Sequence, residues 1–133
     1  MSSVHVLLRV GAEVYALPVE NVLEVSDLGA VAPIPGASPT AVGVKNLRGD
    51  ILPVFDLARI LGVHGERGPE RIVVAERDGR RAGLAVDAVT DVGSLPDDLE
   101  PAESELLVGQ ALVDGKLVGL LDPARVFQLL ETS

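Results

Sequence analysis

The chain contains no cysteine and no tryptophan, so neither disulfide staples nor thiolate metal sites are available to it. Aromatic residues are nearly absent: Tyr15, Phe55 and Phe127 are all there are, too few to make stacking platforms for bases or sugars. Positive charge is also scarce. Eleven Lys and Arg face twenty Asp and Glu, and the resulting net charge of −9 repels phosphate backbones and anionic lipid surfaces. Nucleic acid is therefore excluded as an expected partner, and so is direct membrane insertion. No apolar run approaches the eighteen or so residues of a membrane span, and no basic stretch leads into an apolar one at the start. A cytoplasmic protein is expected.

What remains is a chain of 133 residues that is 47% hydrophobic and 23% charged, a globular balance for one domain over 1–133. The apolar residues are mainly Val, Leu, Ala and Ile, and they alternate or run in short segments cut by Gly, Pro and Asp-Gly. That pattern predicts many short strands. The first set is Val4 to Val10, Val14 to Pro18, Asn21 to Val25, Val42 to Arg48 and Ile51 to Phe55. The second is Arg71 to Glu76, Ala82 to Val86, Ala88 to Val92, Leu107 to Val113 and Lys116 to Leu121. Hairpin turns are expected at Gly11-Ala12, Gly49-Asp50, Asp78-Gly79 and Asp114-Gly115, where glycine supplies positive φ. Short helices are expected at Leu57 to Leu61 and at Pro123 to Leu130, the latter capped by Asp122 with Pro123 in its first turn.

The two sets are copies. Leu17-x-Val19-Glu20-x-Val22-x-Glu24-Val25 matches Leu84-x-Val86-Asp87-x-Val89-x-Asp91-Val92 in chemical type at an offset of 67. Val42-Gly43, Gly49 and Asp56-x-Ala58-Arg59-Ile60 return at an offset of 66 as Val108-Gly109, Gly115 and Asp122-x-Ala124-Arg125-Val126. Two lobes follow, about 4–61 and 71–130, joined by a linker over 62–70. A sixty-residue lobe is marginal alone, and five strands leave open edges unless the sheet curls, so a pair of small barrels packed side by side is expected. The repeat does not say which strands belong to which barrel.

Catalytic machinery is not legible. His5 and His64 fit no ligand spacing, no serine sits in a nucleophile elbow, and no glycine run can cradle phosphate. The acidic stretch from Asp97 to Glu105 lacks the alternation and central glycine of a calcium loop and reads as a solvated loop. No cofactor or metal is expected. Positions alike in both copies are required by the lobe fold, whereas unlike positions are free to serve something else. Asn46-Leu47-Arg48 stands where the second copy has Leu112-Val113-Asp114, so the lobe fold does not account for Arg48. A guanidinium beside a turn glycine suits bidentate recognition of a partner's carboxylate, and equally an internal ion pair. Glu24 and Val22, by contrast, face Asp91 and Val89 and read as fold positions.

The run Gly43-Val44-Lys45-Asn46-Leu47-Arg48-Gly49-Asp50-Ile51-Leu52-Pro53-Val54-Phe55-Asp56-Leu57 closely resembles the signature of the CheW family of chemotaxis coupling proteins. Tyr15 to Val19, Val22 to Val25, Ile34-Pro35 and Gly83 to Val89 extend the resemblance over about 4–130. It implies two SH3-like five-stranded β-barrels and work by binding, not catalysis. It further implies partners: the cytoplasmic tip of a methyl-accepting chemoreceptor and the regulatory domain of a CheA-type histidine kinase. Carried onto this chain, the receptor-facing residues are Val22, Glu24, Gly43 and Arg48, with Asn46 and Leu47 supporting Arg48. No motif assigns the kinase-facing side to individual residues. The same coupler type serves swimming, pilus-driven motility and other receptor-kinase pathways. The competing classes are a small ligand-binding barrel and a carboxylate hydrolase.

Overall fold

The computed structural model describes residues 4–64 and 68–131. Ten strands run in the order β1 (Val4–Val10), β2 (Glu13–Pro18), β3 (Val22–Asp27), β4 (Ala41–Leu47) and β5 (Asp50–Asp56), then β6 (Arg71–Arg77), β7 (Arg80–Val86), β8 (Ala88–Ser94), β9 (Leu107–Val113) and β10 (Lys116–Leu121). Helix α1 (Leu57–Leu61) follows β5 and α2 (Pro123–Glu131) follows β10. Every expected strand and helix is present, with ends moved by at most two residues. The one addition is a 3-10 turn over Val19–Asn21, which delays β3 to Val22. Both helices begin alike. Asp56 Oδ1 accepts from the Ala58 N–H and Asp122 Oδ1 from the Ala124 N–H, each at 3.0 Å, and so satisfies a first-turn donor that lacks a helical partner.

The strands form two five-stranded sheets, one in the order β8-β1-β2-β10-β9 and the other β3-β6-β7-β5-β4. Replacing each strand by its repeat equivalent turns one order into the other. The all-β, SH3-like pair expected from the sequence is thus present, but the sheets do not coincide with the lobes 4–61 and 71–130. Those limits mark the repeating unit, and each unit gives its first hairpin to the other's sheet. Hairpin β1–β2 lies against β8 and, in parallel, β10; hairpin β6–β7 lies against β3 and, in parallel, β5. The physical reason is the length of the connections. Only Asp87 separates β7 from β8, too little for even a two-residue hairpin, so the chain must leave its sheet there. The 3-10 turn does the same between β2 and β3. Of the expected linker over 62–70, residues 65–67 lie outside the described residues.

The exchange gives the two sheets one core. Leu8 and Leu17 from the first sheet, Val73 and Leu84 from the second, and Leu57, Leu121 and Phe127 at the helical ends all belong to a single buried cluster. A lobe too small to bury its own apolar surface is completed by the other. His5 is buried within β1, and the acidic stretch 97–105 is largely exposed, as a solvated loop should be. Among the described residues no group of three His, Asp or Glu could hold a metal ion, and no helix is long and apolar enough to cross a membrane.

Each sheet is closed by the segment that follows its last-paired edge strand. After β3 the chain returns at Ala32 to pair with Val44 of β4, with reciprocal N–H···O bonds of 2.8 and 2.9 Å. After β8 it returns at Glu100 to pair with Gln110 of β9, with bonds of 2.8 and 2.9 Å. Bulges in β3 and β4, and in the pairings of β1 and β10, accompany this curling.

Candidate functional site

The closed seam of the second sheet creates the site. In sheet order β3 and β4 are opposite edges, so residues about twenty apart in sequence meet only once the ring closes. The amine of Lys45 donates to the Leu28 carbonyl at 2.7 Å, tying β4 to the chain beyond β3. Farther along, the Arg48 guanidinium donates to the Glu24 carboxylate across the same seam.

Arg48 sits in an unusual backbone position. It has φ 51° and is followed by Gly49 at φ 91°, with Leu47 opposite Asp50, so Arg48 and Gly49 are the two central residues of a type I′ turn. The expected turn at Gly49-Asp50 is therefore corrected by one residue: Asp50 opens β5. A left-handed conformation at a residue with a Cβ favours Asp or Asn, and the equivalent turns have Asp there, at Asp78-Gly79 and Asp114-Gly115. Local turn chemistry thus gives no reason for arginine. Asn46 compensates in part, its Oδ1 accepting from the Gly49 N–H at 2.9 Å.

The six candidate residues divide by burial. The Arg48 side chain is 71% exposed and that of Glu24 27% exposed, so the ion pair lies at the surface with most of the guanidinium fork facing water. Asn46 is exposed and Leu47 half-buried on the strand leading to the turn. Val22 is half-buried and packs against the shared core, which agrees with its fold role, while Glu24 stands two residues on along the same strand. Gly43 is different. It is buried, has φ 152°, and a Cβ there would run into the Ala32 carbonyl of the closing segment. Its repeat equivalent Gly109 is under the same pressure, with a Cβ 2.8 Å from the Glu100 carbonyl oxygen. Gly43 is needed to shut the barrel, and it shapes the surface instead of touching what binds there.

Two residues were not among the candidates. Ile51, 63% exposed, is the cross-strand partner of Asn46, and Leu23, also exposed, lies at the β3 bulge between Val22 and Glu24. Alternation with buried Leu52 could have pointed to Ile51; nothing local marks Leu23. Together the surface offers a partly free guanidinium, a carboxylate and flanking aliphatic side chains. Such groups are suited to recognising a partner and not to activating a nucleophile.

Three comparisons place the chain among known proteins. The family model of the CheW-like domain matches residues 5–131. The chemotaxis protein CheW of Rhizobium meliloti is 31% identical over 129 residues, covering 90% of this chain and 83% of that protein. FrzA of Myxococcus xanthus is 35% identical over 131 residues, covering 90% and 82%. The crystal structure of the scaffolding protein TtCheW from Thermoanaerobacter tengcongensis superposes with a TM-score of 0.82 at 31% identity, covering 92% of this chain and 86% of that one.

Proposed function

Because the chain belongs to the CheW-like family, whose members are non-enzymatic scaffolds and adaptors, we propose that it joins a chemoreceptor tip to a CheA-type histidine kinase in the cytoplasm. The receptor side is the seam of the second sheet: Arg48 and Glu24 supply the charged contact, Asn46 and Leu47 hold the turn that presents Arg48, and Val22 and Gly43 hold the strands beneath. One observation carries this reading. Arginine occupies a left-handed turn position where the two equivalent turns use aspartate, and it holds its guanidinium exposed over the seam.

Physically the role is that of a stiff bridge. Two interfaces on one rigid body raise the effective concentration of the second partner once the first is bound, and a receptor-dependent output requires a coupling of about 1–3 kcal/mol between them. The exchanged hairpins supply the stiffness, because neither sheet can tilt without disturbing the core both share.

The test is Arg48→Asp. Aspartate is the residue that the matching turns use, so the melting midpoint and far-UV circular dichroism should stay at wild-type values. Receptor-dependent activation of the kinase, reconstituted from receptor fragment, kinase and this protein, should fall at least tenfold. Full activation by a folded Arg48→Asp protein would refute the assignment.

A further inference from the structure

Beyond the Ala32–Val44 pair, no backbone hydrogen bond joins β3 to β4 among the described residues, so side chains alone span the rest of the seam toward the turn at Arg48-Gly49. What bridges it grows longer. Backbone meets backbone at Ala32 and Val44, one side chain reaches a carbonyl at Lys45 and Leu28, and two side chains meet at Arg48 and Glu24. The edges therefore draw apart toward the tip, and Lys45 stands between the closure and the ion pair. Leu28 is a junction: its N–H donates to the Glu70 carbonyl at 3.0 Å, beside β6, while its carbonyl accepts from the Lys45 amine at 2.7 Å. Gly29, at φ 57°, leaves room for that amine, which a Cβ there would approach to 3.2 Å.

Packing does not ask for a lysine here. Lys45 is paired across the hairpin with buried Leu52, so its stem starts on the inward face, where alternation calls for an apolar residue. The second copy follows that rule. Ala111 stands at the equivalent position opposite Val118, both buried, and Leu95, the equivalent of Leu28, packs with Ala16 and Val118 in a small apolar cluster. Among the described residues Lys45 has no carboxylate partner, and the Leu28 carbonyl is what receives its half-buried charge. The copy with an ion pair at its tip thus has the lysine tie, and the copy with Asp114 at its tip has neither.

We infer that Lys45 is a positioning residue for the receptor-side contact: by gripping the Leu28 carbonyl it fixes the spacing of β3 and β4, and so sets how Arg48 shares its guanidinium between Glu24 and a partner's carboxylate. This rests on the receptor reading of Arg48. An exposed ion pair is a weak restraint, because two long side chains lose freedom to form it and water screens it. A charge-assisted bond from a half-buried amine to a backbone carbonyl is a firmer one. Lys45 bonds to neither Glu24 nor Arg48 and acts through the backbone that carries them. Released from Leu28, the two edges can spread, and the ion pair at the tip is left to hold the seam by itself.

Two variants test it. Lys45→Met keeps the apolar stem and removes the donor, and Lys45→Ala installs the residue that the second copy already accommodates at this position. In the free protein the Arg48 side-chain Nε–H resonance, followed by two-dimensional NMR, should shift in both, and Lys45→Arg, which can still donate, should return it toward wild type. Affinity for a chemoreceptor tip fragment should fall about fivefold in Lys45→Met and recover in Lys45→Arg. In an Arg48→Asp background the same change should cost nothing further, since the route through Arg48 is already gone. A merely structural lysine would weaken binding alike in both backgrounds. An unmoved Arg48 resonance, unchanged affinity in Lys45→Met where Arg48→Asp lowers it, or equal losses with and without Arg48 overturns the inference. Receptor affinity that survives Arg48→Asp, with the Arg48 resonance still moved by Lys45→Met, refutes the receptor reading and leaves the placement of Arg48 by Lys45 standing.

Discussion

The two hairpin tips share a turn geometry, a strand register and a place in the fold, yet one carries an exposed arginine paired with a carboxylate and the other an aspartate and two exposed leucines. Where the copies agree, as at the glycines of the seams and the aspartate caps, the structure gives each residue a job in closing or packing a barrel. At the exposed hairpin tips, where they disagree, that job is absent. The division follows from duplication: both halves must satisfy the same steric and hydrogen-bonding demands, but only one needs to meet a given partner.

The comparison can be broken most severely in the core. Leu17 and Leu84 are repeat equivalents, both almost wholly buried in the common cluster, so either one changed to alanine should cost about 2–5 kcal/mol, with the two losses alike. Chemical denaturation would read both, and a large inequality would mean that the sheets do not share one cooperative core.

A smaller and unequal effect is expected at the seams. Gly43→Ala meets the Ala32 carbonyl and a strained positive φ together and should cost about 2–4 kcal/mol. Gly109→Ala meets the Glu100 carbonyl oxygen and the Leu99 Cβ, each at 2.8 Å, but no positive φ, and should cost about half as much. Melting curves of the pair would sharpen the difference between the two closures, and equal losses would show that φ at Gly43 contributes little.

The smallest effect concerns Tyr15, which faces Ala82 in the other copy. Burial, and secondarily the Glu13 carboxylate, raises its phenol pKa above the ordinary 10. The neutral phenol is therefore favoured in the folded state, so this contribution to stability is complete below pH 10 and is lost as pH rises through the elevated pKa. As the chain's one tyrosine, with no tryptophan, it can be followed by ultraviolet absorbance during an alkaline titration. A midpoint at or below 10 would contradict its burial.

Strand positions, helix caps and the repeat were legible because they depend on neighbours: alternation of Val and Leu with polar residues, Asp before a helix, Asp-Gly at a turn. Even the misplaced turn at Gly49-Asp50 was wrong by one residue for a local reason, since arginine is not expected in a left-handed position and the glycine was read as the turn's first residue. The candidate site was legible in part. Arg48 stood out because its repeat partner differs; Glu24 did not, because its partner is another acid. Ile51 and Leu23 were missed, and Gly43 was recognised without its reason.

Composition and pattern alone therefore determined that this chain makes ten short strands in two copied sets, with no chemistry beyond binding in view. Only the tertiary structure decided that each set lends a hairpin to the other, that Ala32 and Glu100 close the rings, and that Arg48 meets Glu24. Local conformation depends on residues within a few positions of one another. Pairing is a competition among strands of nearly equal hydrophobicity, resolved by connection length and by the need of two small sheets for one core.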